Sequence, residues 1–313
     1  MAQAKPPQRE KVWASLITNL NYLPGLLTLH HSLTTSTPQK PKTAYPFVAL
    51  YTPSFPPEGL AALYARGIRT HAVPQILPAK SSRKYEQDPR FRETWTKLVV
   101  FSPEDAFDRV VLLDGDMLVR RNMDELMDIP LDGVDNVFAA SHACACNPLQ
   151  KKHYPATWIP ANCAFTTQHS TPDAAQTIAA PASSGVGMLN SGLLVVKPSH
   201  TAYTRIQELL EDPEKVDSYT FPDQELLSEA FEGRWVPLPY VYNALKTMRV
   251  QGVHSAFWRD EEVKNVHYIF AVKPWQEEPP VEGPDMDILN GWWWSANYER
   301  QRLEKESGIV DGL

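Results

Sequence analysis

Residues 110–116 read Val-Val-Leu-Leu-Asp-Gly-Asp, a hydrophobic run too short to cross a membrane that ends in two carboxylates two positions apart. In an extended chain, side chains at i and i+2 leave the same face, so Asp114 and Asp116 are expected to project together from the end of a buried strand. Two hard anionic ligands at one place suit a divalent cation of the Mg²⁺ or Mn²⁺ kind, which completes its shell with water and substrate phosphates. Asp-Gly-Asp after a strand is equally ordinary turn chemistry, so the pair needs support from elsewhere in the chain.

Such a pair must be held by a sheet, and the first half of the sequence has the pattern for one. Lys11 to Asn19 alternates apolar and polar residues, and Leu26, Leu29, His30 and Leu33 follow at helical spacing. Phe47 to Thr52 is a second strand. Pro56-Pro57 opens a helix carrying Leu60, Leu63 and Tyr64, which Gly67 can close in the left-handed conformation. Thr70 to Val73 is a third strand, and Arg92 to Phe101 is a helix stopped before Pro103 that delivers the chain to the strand ending at Asp114. This βαβα alternation predicts an α/β fold with a mostly parallel sheet flanked by helices, and ligands at the carboxyl ends of the strands, where Asn19 and Asp114 both fall.

In the second half, Phe138 to Ala140 and Leu193 to Val196 are expected strands, and Ala202 to Leu210 and Gln224 to Phe231 expected helices. Residues 141–189, rich in Ser, Thr, Pro and Ala, lack sustained periodicity and are expected as long loops over the site. The Pro/Glu/Asp-rich stretch from Glu277 to Asp287 reads as a linker to Trp292-Trp293-Trp294 and a charged helical run from Asn297 to Ser307. The expected organisation is therefore a single catalytic domain over residues 1–276, with 277–313 as a linker and helical tail packed on it. The tryptophans are read as the docking face of that tail.

Composition excludes several classes. A chain of 313 residues that is 43% hydrophobic can bury one large core. A net charge of −7 without basic runs argues against nucleic acid as a partner. The polar N-terminus has no apolar core of a leader peptide, and no segment approaches the length of a membrane span, which predicts a cytoplasmic protein. Three cysteines are too few for a secreted disulfide framework. The cluster His142-Ala-Cys144-Ala-Cys146, with His153 and Cys163 later, could bind zinc. Cys-x-Cys is less typical of structural zinc than wider spacings, so packing beside an acceptor loop is the favoured reading.

Six blocks in order carry a resemblance. They are Leu16-Ile17-Thr18-Asn19 with Tyr22; Thr96-Lys97-Leu98; Leu113-Asp114-Gly115-Asp116; Leu189-Asn190-Ser191-Gly192; Asp223-Gln224; and Val266-His267-Tyr268 followed by Val272-Lys273-Pro274-Trp275. Over roughly residues 11–276 the set resembles glycosyltransferase family 8, whose cytosolic members include the glycogenin-like and galactinol synthase-like enzymes. The resemblance implies a GT-A type, Rossmann-like single domain, a UDP-sugar donor, Mn²⁺ with Mg²⁺ as the alternative, and hexosyl transfer with retention of anomeric configuration.

By the same resemblance Asp114, Asp116 and His267 bind the metal, and Lys273 and Lys97 face the diphosphate, where a fixed cation stabilises the developing oxyanion. Leu16, Thr18, Asn19 and Tyr22, with Gly115, border the nucleotide, Tyr22 able to stack on uracil. Asn190, Asp223 and Gln224 are the catalytic and sugar-binding candidates beside Lys97. Asp223 and its neighbours could equally cap a helix, and Thr18 or Asn19 likewise. Pro274 and Trp275 are expected to hold the backbone of Lys273 rather than touch substrate.

The sequence departs from the family at three places. Phe270 stands where glycogenin-like members have a glycine near phosphate, and Thr220 where they have an aspartate. The positions of their self-glucosylated tyrosines fall at Val250 and Gly252, which have no hydroxyl. An external acceptor, a small molecule such as a polyol or else a glycan, is therefore expected. A homodimer is compatible with this family. The competing reading, motivated by Phe270 and Thr220, is a UDP-sugar or glycan binding protein with impaired turnover.

Overall fold

The computed structural model describes residues 9–38, 40–78, 93–104, 107–281, 283 and 287–313. In chain order its strands are β1 (Glu10–Ile17), β2 (Phe47–Tyr51), β3 (Arg69–Ala72), β4 (Phe107–Leu113), β5 (Met117–Val119), β6 (Phe138–His142), β7 (Leu189–Val196), β8 (Val236–Pro237), β9 (Ala244–Leu245) and β10 (Asn265–His267). Its α-helices are α1 (Leu23–Thr34), α2 (Pro57–Ala65), α3 (His200–Leu210), α4 (Pro213–Ser218), α5 (Pro222–Ala230) and α6 (Ile288–Glu306). The main sheet runs β3-β2-β1-β4-β7-β6-β8, and a smaller one runs β5-β10-β9. β3, β2, β1 and β4 are parallel, while β7 runs antiparallel to both β4 and β6. The expected α/β architecture with a mostly parallel sheet is the one the chain adopts.

Alternation along the strands builds two apolar layers. Val12 and Ala14 of β1 face one side with Val110 and Leu112 of β4, under α3 and α5. Trp13 and Ile17 face the other with Val111 and Leu113, under Leu26, Leu29 and Leu33 of α1. A strand buried on both faces reads as a nearly continuous apolar run, which is what 110–113 is. At the end of α2 the amide of Gly67 (φ 64°) bonds the Tyr64 carbonyl and that of Ile68 the Leu63 carbonyl, a left-handed C-terminal cap as expected.

Three expected elements differ; the helical run expected from Asn297 begins at Ile288, where Asp287 caps it by accepting the Asn290 amide. The helix read over Arg92 to Phe101 is a 3₁₀ helix over Thr94–Phe101, Arg92 lying outside the described residues. Four of its eight residues are β-branched and six are buried, so burial on nearly every side rather than one amphipathic stripe sets its form. β7 begins at Leu189, four residues before the expected Leu193, because Leu189 and Asn190 already pair with β6 although Asn190, Ser191 and Gly192 interrupt the apolar run.

The C-terminal helix α6 docks against α1. Asn297 accepts a hydrogen bond from the Thr28 hydroxyl at 2.9 Å, and Arg66 of the α2 cap grips Glu304 and Asp311. Trp293 is fully buried and sits 5.4 Å from the Trp275 ring, and the Arg120 guanidinium lies over Trp292. No helix among the described residues is long and apolar enough to cross a membrane.

Helix α1 carries a pH-sensitive group, His30, whose ring meets Phe47 of β2 edge-on. Burial, with help from His31, pushes the His30 imidazole down from 6.5 to about 4. Between those values the unfolded chain takes up a proton that the folded chain refuses, so stability is full above pH 6.5 and falls as pH drops towards 4. His30→Gln removes this contribution. Denaturant melts at pH 7 and pH 4.5 should show the wild type losing roughly 2 kcal/mol more than the variant between the two conditions. Equal losses would exclude His30 as their cause.

Candidate active site

Asp-Gly-Asp does not continue the extended strand. β4 ends at Leu113, Gly115 and Asp116 lie in a turn, and β5 starts at Met117. The two carboxylates converge by folding over this turn rather than by strand pleating, which corrects the geometric expectation while leaving the pair together. The turn is pinned at its start, where the Asp114 amide donates to the Gly192 carbonyl of β7 at 2.8 Å.

The small sheet brings in the histidine. β10 pairs antiparallel with β5 so that His267 sits opposite Met117, and the Tyr268 amide bonds the Asp116 carbonyl at 2.9 Å. Nε2 of His267 then lies 3.4 Å from Asp116 Oδ1 and 3.8 Å from Asp114 Oδ2. One ligand atom from each of the three residues lies within 4.8 Å of the other two.

The imidazole tautomer follows from a chain of hydrogen bonds anchored on backbone. Asn190 Oδ1 accepts the Gly192 amide at 3.1 Å, so its oxygen is fixed as the acceptor. It also accepts Nδ2 of Asn243 at 2.8 Å, which turns Asn243 Oδ1 towards His267 Nδ1 at 2.9 Å. Nδ1 therefore carries the proton and Nε2 presents a lone pair to the carboxylates. A hydrogen bond to the far ring nitrogen is how metal-binding histidines are held in orientation.

Lysines complete the arrangement. Lys273 is 1% exposed, and its ammonium donates to Asp116 Oδ2 and, at 2.8 Å, to the Tyr268 carbonyl. Lys97 contacts both oxygens of Asp114, at 2.7 and 2.8 Å, and lies 3.8 Å from Asp223. Burial opposes charge on Asp116, yet the Lys273 ammonium outweighs it and holds its carboxyl well below the usual range. Burial also opposes charge on Lys97, but Asp114 and Asp223 keep it firmly protonated. For Asp114, burial and the neighbouring Asp116 charge prevail over Lys97 and raise its pKa.

Asp223 does not cap its own helix. Glu225 accepts the Thr220 and Phe221 amides at 2.8 and 2.7 Å, which leaves Asp223 facing Lys97 from the first turn of α5, 3% exposed. Gln224 accepts Asn190 Nδ2 at 2.8 Å and the Ser191 amide at 3.3 Å, tying α5 to β7. Asn19 caps the short 3₁₀ helix Leu20–Tyr22 and also borders the pocket, so both readings hold for the same side chain. Trp275 donates from its indole to the Asn21 carbonyl at 2.8 Å and stands edge-on to Tyr22. Gln276 accepts the Lys273 amide at 3.0 Å. The segment after Lys273 thus braces the lysine and the nucleotide wall.

All of Leu16, Thr18, Asn19, Tyr22, Lys97, Asp114, Gly115, Asp116, Asn190, Asp223, Gln224, His267 and Lys273 border one cavity of about 310 Å³. The sequence reading missed Glu93, whose carboxylate accepts from Thr18 and, at 3.2 Å, from Asn19. It missed the orienting role of Asn243, and of the opposite wall it named only Cys144 and His153, not Asn147, Lys151, Tyr154 and Trp158, which lie in irregular chain without periodicity. At Phe270 the backbone keeps a left-handed conformation, φ 79°, with Lys151 5.5 Å from its ring. The conformation that glycine favours survives a bulky side chain, at a cost on the order of 1–3 kcal/mol.

Gly192 is required for space. A Cβ there would stand 2.7 Å from His267 Nδ1 and 3.0 Å from Asn190 Oδ1. Gly192→Ala is expected to push the imidazole out of line and to cost about 10–100-fold in divalent-cation affinity, with the fold retained. Metal titration monitored by intrinsic fluorescence checks this, and an unchanged affinity would show that the histidine position is immaterial.

The residues fit a divalent cation. Asp116 Oδ1 is buried with no hydrogen-bond partner among the described residues, and it faces the Nε2 lone pair. Such an orphaned oxygen, beside a second carboxylate and an imidazole, is an oxygen-rich donor set of the right reach.

The sequence profile of Glycosyl transferase family 8 matches residues 14–278. Galactinol synthase 1 of Ajuga reptans is 28% identical over 306 residues, spanning 94% of this chain and 83% of its own length. Galactinol synthase 4 of Arabidopsis thaliana is 27% identical over 313 residues, spanning 98% and 86% respectively. Among solved structures, the galactosyltransferase LgtC in complex with donor and acceptor sugar analogues superposes with a TM-score of 0.59 at 20% identity, covering 92% of this chain and 95% of LgtC. The glycosyltransferase GlyE of Streptococcus pneumoniae gives 0.57 at 17%, covering 96% and 65%. The structural likenesses establish a GT-A fold, and with the profile match over most of its length this chain belongs to glycosyltransferase family 8.

Proposed function

We propose that the chain transfers a galactosyl or glucosyl group from a UDP-sugar to a small external polyol, with retention of configuration and dependence on Mn²⁺. The observation that carries this reading is the convergence of Asp114, Asp116 and His267 with the ammonium groups of Lys97 and Lys273 in one cavity. A diphosphate is the ligand class whose charge such an array balances. The relatives named galactinol synthase favour a polyol acceptor.

When bound to Asp114, Asp116 and His267, the cation would supply Lewis-acid neutralisation of the diphosphate leaving group. Lys273, fixed against Asp116 and the Tyr268 carbonyl, places a second positive charge where the phosphate oxygens gain charge. Lys97 sits between Asp114 and Asp223 and can follow the leaving oxygen while Asp223 stabilises positive charge on the sugar ring. The Asn190–Gln224 pair orients the sugar hydroxyls. Trp158, stacked on Phe221, and Tyr154, edge-on to both, offer an aromatic wall for the acceptor side. Val250 is exposed and Gly252 sits in a turn, and neither borders the cavity, which supports an external acceptor over self-modification.

The test is UDP release from UDP-galactose and UDP-glucose with Mn²⁺, with and without myo-inositol and other polyols. Acceptor-stimulated release from one donor is expected. Binding of UDP-sugar with no release under any condition would reverse the reading in favour of a binding protein.

A further inference from the structure

A second cluster lies away from the carboxylates. Sγ of Cys144, Cys146 and Cys163 approach Nε2 of His254 at 3.3, 3.4 and 3.5 Å, and all four atoms lie within 4.8 Å of one another. One ring nitrogen has a single hydrogen or a single lone pair, so three thiols cannot each be hydrogen-bonded to it. A shared central ion explains the convergence. For tetrahedral zinc with bonds of about 2.3 Å to sulfur and about 2.05 Å to nitrogen, each sulfur stands about 3.6 Å from the nitrogen, close to the spacing seen.

We propose that Cys144, Cys146, Cys163 and His254 form a structural Cys₃His zinc site that clamps the acceptor-side loop to the segment preceding β10. His254 is fully buried and Cys163 is 1% exposed. Nδ1 of His254 meets His169 Nε2 at 2.9 Å, so a proton on Nδ1 leaves Nε2 free to ligate, with the far ring nitrogen hydrogen-bonded as is usual for metal-bound histidine. The ring is stacked on Phe257 and edged by Phe165, which fixes its plane. His142 and His153, the histidines the sequence pattern groups with the cysteines, take no part: His142 Nε2 meets the Ala180 carbonyl at 3.0 Å, and His153 packs on Tyr154. With four protein ligands the site is closed, as structural rather than catalytic zinc requires. Binding releases the three thiol protons to solvent and leaves one net negative charge on the cluster.

The stretch it would hold, residues 143–188, contains only short 3₁₀ turns and no strand or α-helix, yet it carries one wall of the cavity. Such a segment has little hydrogen-bonded structure of its own, and a metal staple supplies what secondary structure does not.

Full-length protein produced with zinc and kept reduced should contain about one zinc per chain by elemental mass spectrometry. Zinc-edge X-ray absorption should show three sulfur neighbours and one nitrogen. Cys163→Ser should lose the zinc, whereas Asp116→Asn, at the other cluster, should retain it. Removing the ion from wild type should speed amide exchange in residues 143–188 by about tenfold or more, with β4 unaffected. The X-ray absorption readout uses the unaltered chain, so it decides the matter even if Cys163→Ser fails to fold. Zinc well below stoichiometry after back-addition, a shell without sulfur, or a disulfide between any two of the three cysteines would overturn the proposal.

Discussion

Asp116→Asn is expected to lower sugar transfer by about 10³-fold or more, because it removes a carboxylate on which both the cation and Lys273 depend. The same change should destabilise the chain. Lys273 is almost wholly buried and its ammonium is matched by Asp116, so removing the charge strands a cation in the interior, at a cost of about 3–5 kcal/mol. A second substitution separates the two effects. In Asp116→Asn/Lys273→Met no cation is left stranded, and most of the lost stability should return while transfer stays absent. UDP release and denaturant melts on the wild type, the single variant and the double variant check this. Transfer recovering along with stability would mean that Asp116 acts only as a structural counter-ion.

Lys97→Met should give an opposed pair of changes, slower transfer with tighter metal binding. Lys97 touches both oxygens of Asp114, and those oxygens are the ones a cation would take. Removing the ammonium removes a competitor, so the dissociation constant for Mn²⁺ should fall. It also removes a fixed positive charge beside the leaving diphosphate, for which a loss of about 10²–10³-fold in turnover is expected. Calorimetry with Mn²⁺ and UDP-release kinetics report the two quantities separately. Weaker metal binding in the variant would show that Lys97 organises Asp114 for the cation instead of competing with it.

How much of this was legible in the sequence depends on the range of the interaction concerned. The run ending at Leu113 and the alternation in β1 were readable because a strand buried on both faces leaves a local apolar signature. Asp114 and Asp116 were readable as a pair, although the turn at Gly115, not strand pleating, brings them together. His267 was reached only through the order of six blocks. Its approach to Asp116 depends on β5 pairing with β10, two three-residue strands about 150 positions apart, and neither has a periodic signal. Asn243 and Glu93 act through hydrogen bonds across the fold, and no local pattern marks them. The cysteines were conspicuous in the sequence, but the imidazole they meet, His254, lies far from them along the chain and was not associated with them. The neighbours His142 and His153 drew attention that belongs to it.

The central claim is that Asp114, Asp116 and His267 gather around one divalent cation that holds the diphosphate of a sugar nucleotide. Isothermal titration of UDP into protein free of added Mn²⁺ and Mg²⁺, repeated with Mn²⁺ present, tests it most directly. The geometry predicts strong heat and stoichiometric uptake only when Mn²⁺ is supplied, abolished by His267→Ala. UDP uptake of equal strength without the ion, or none with it, would contradict the claim.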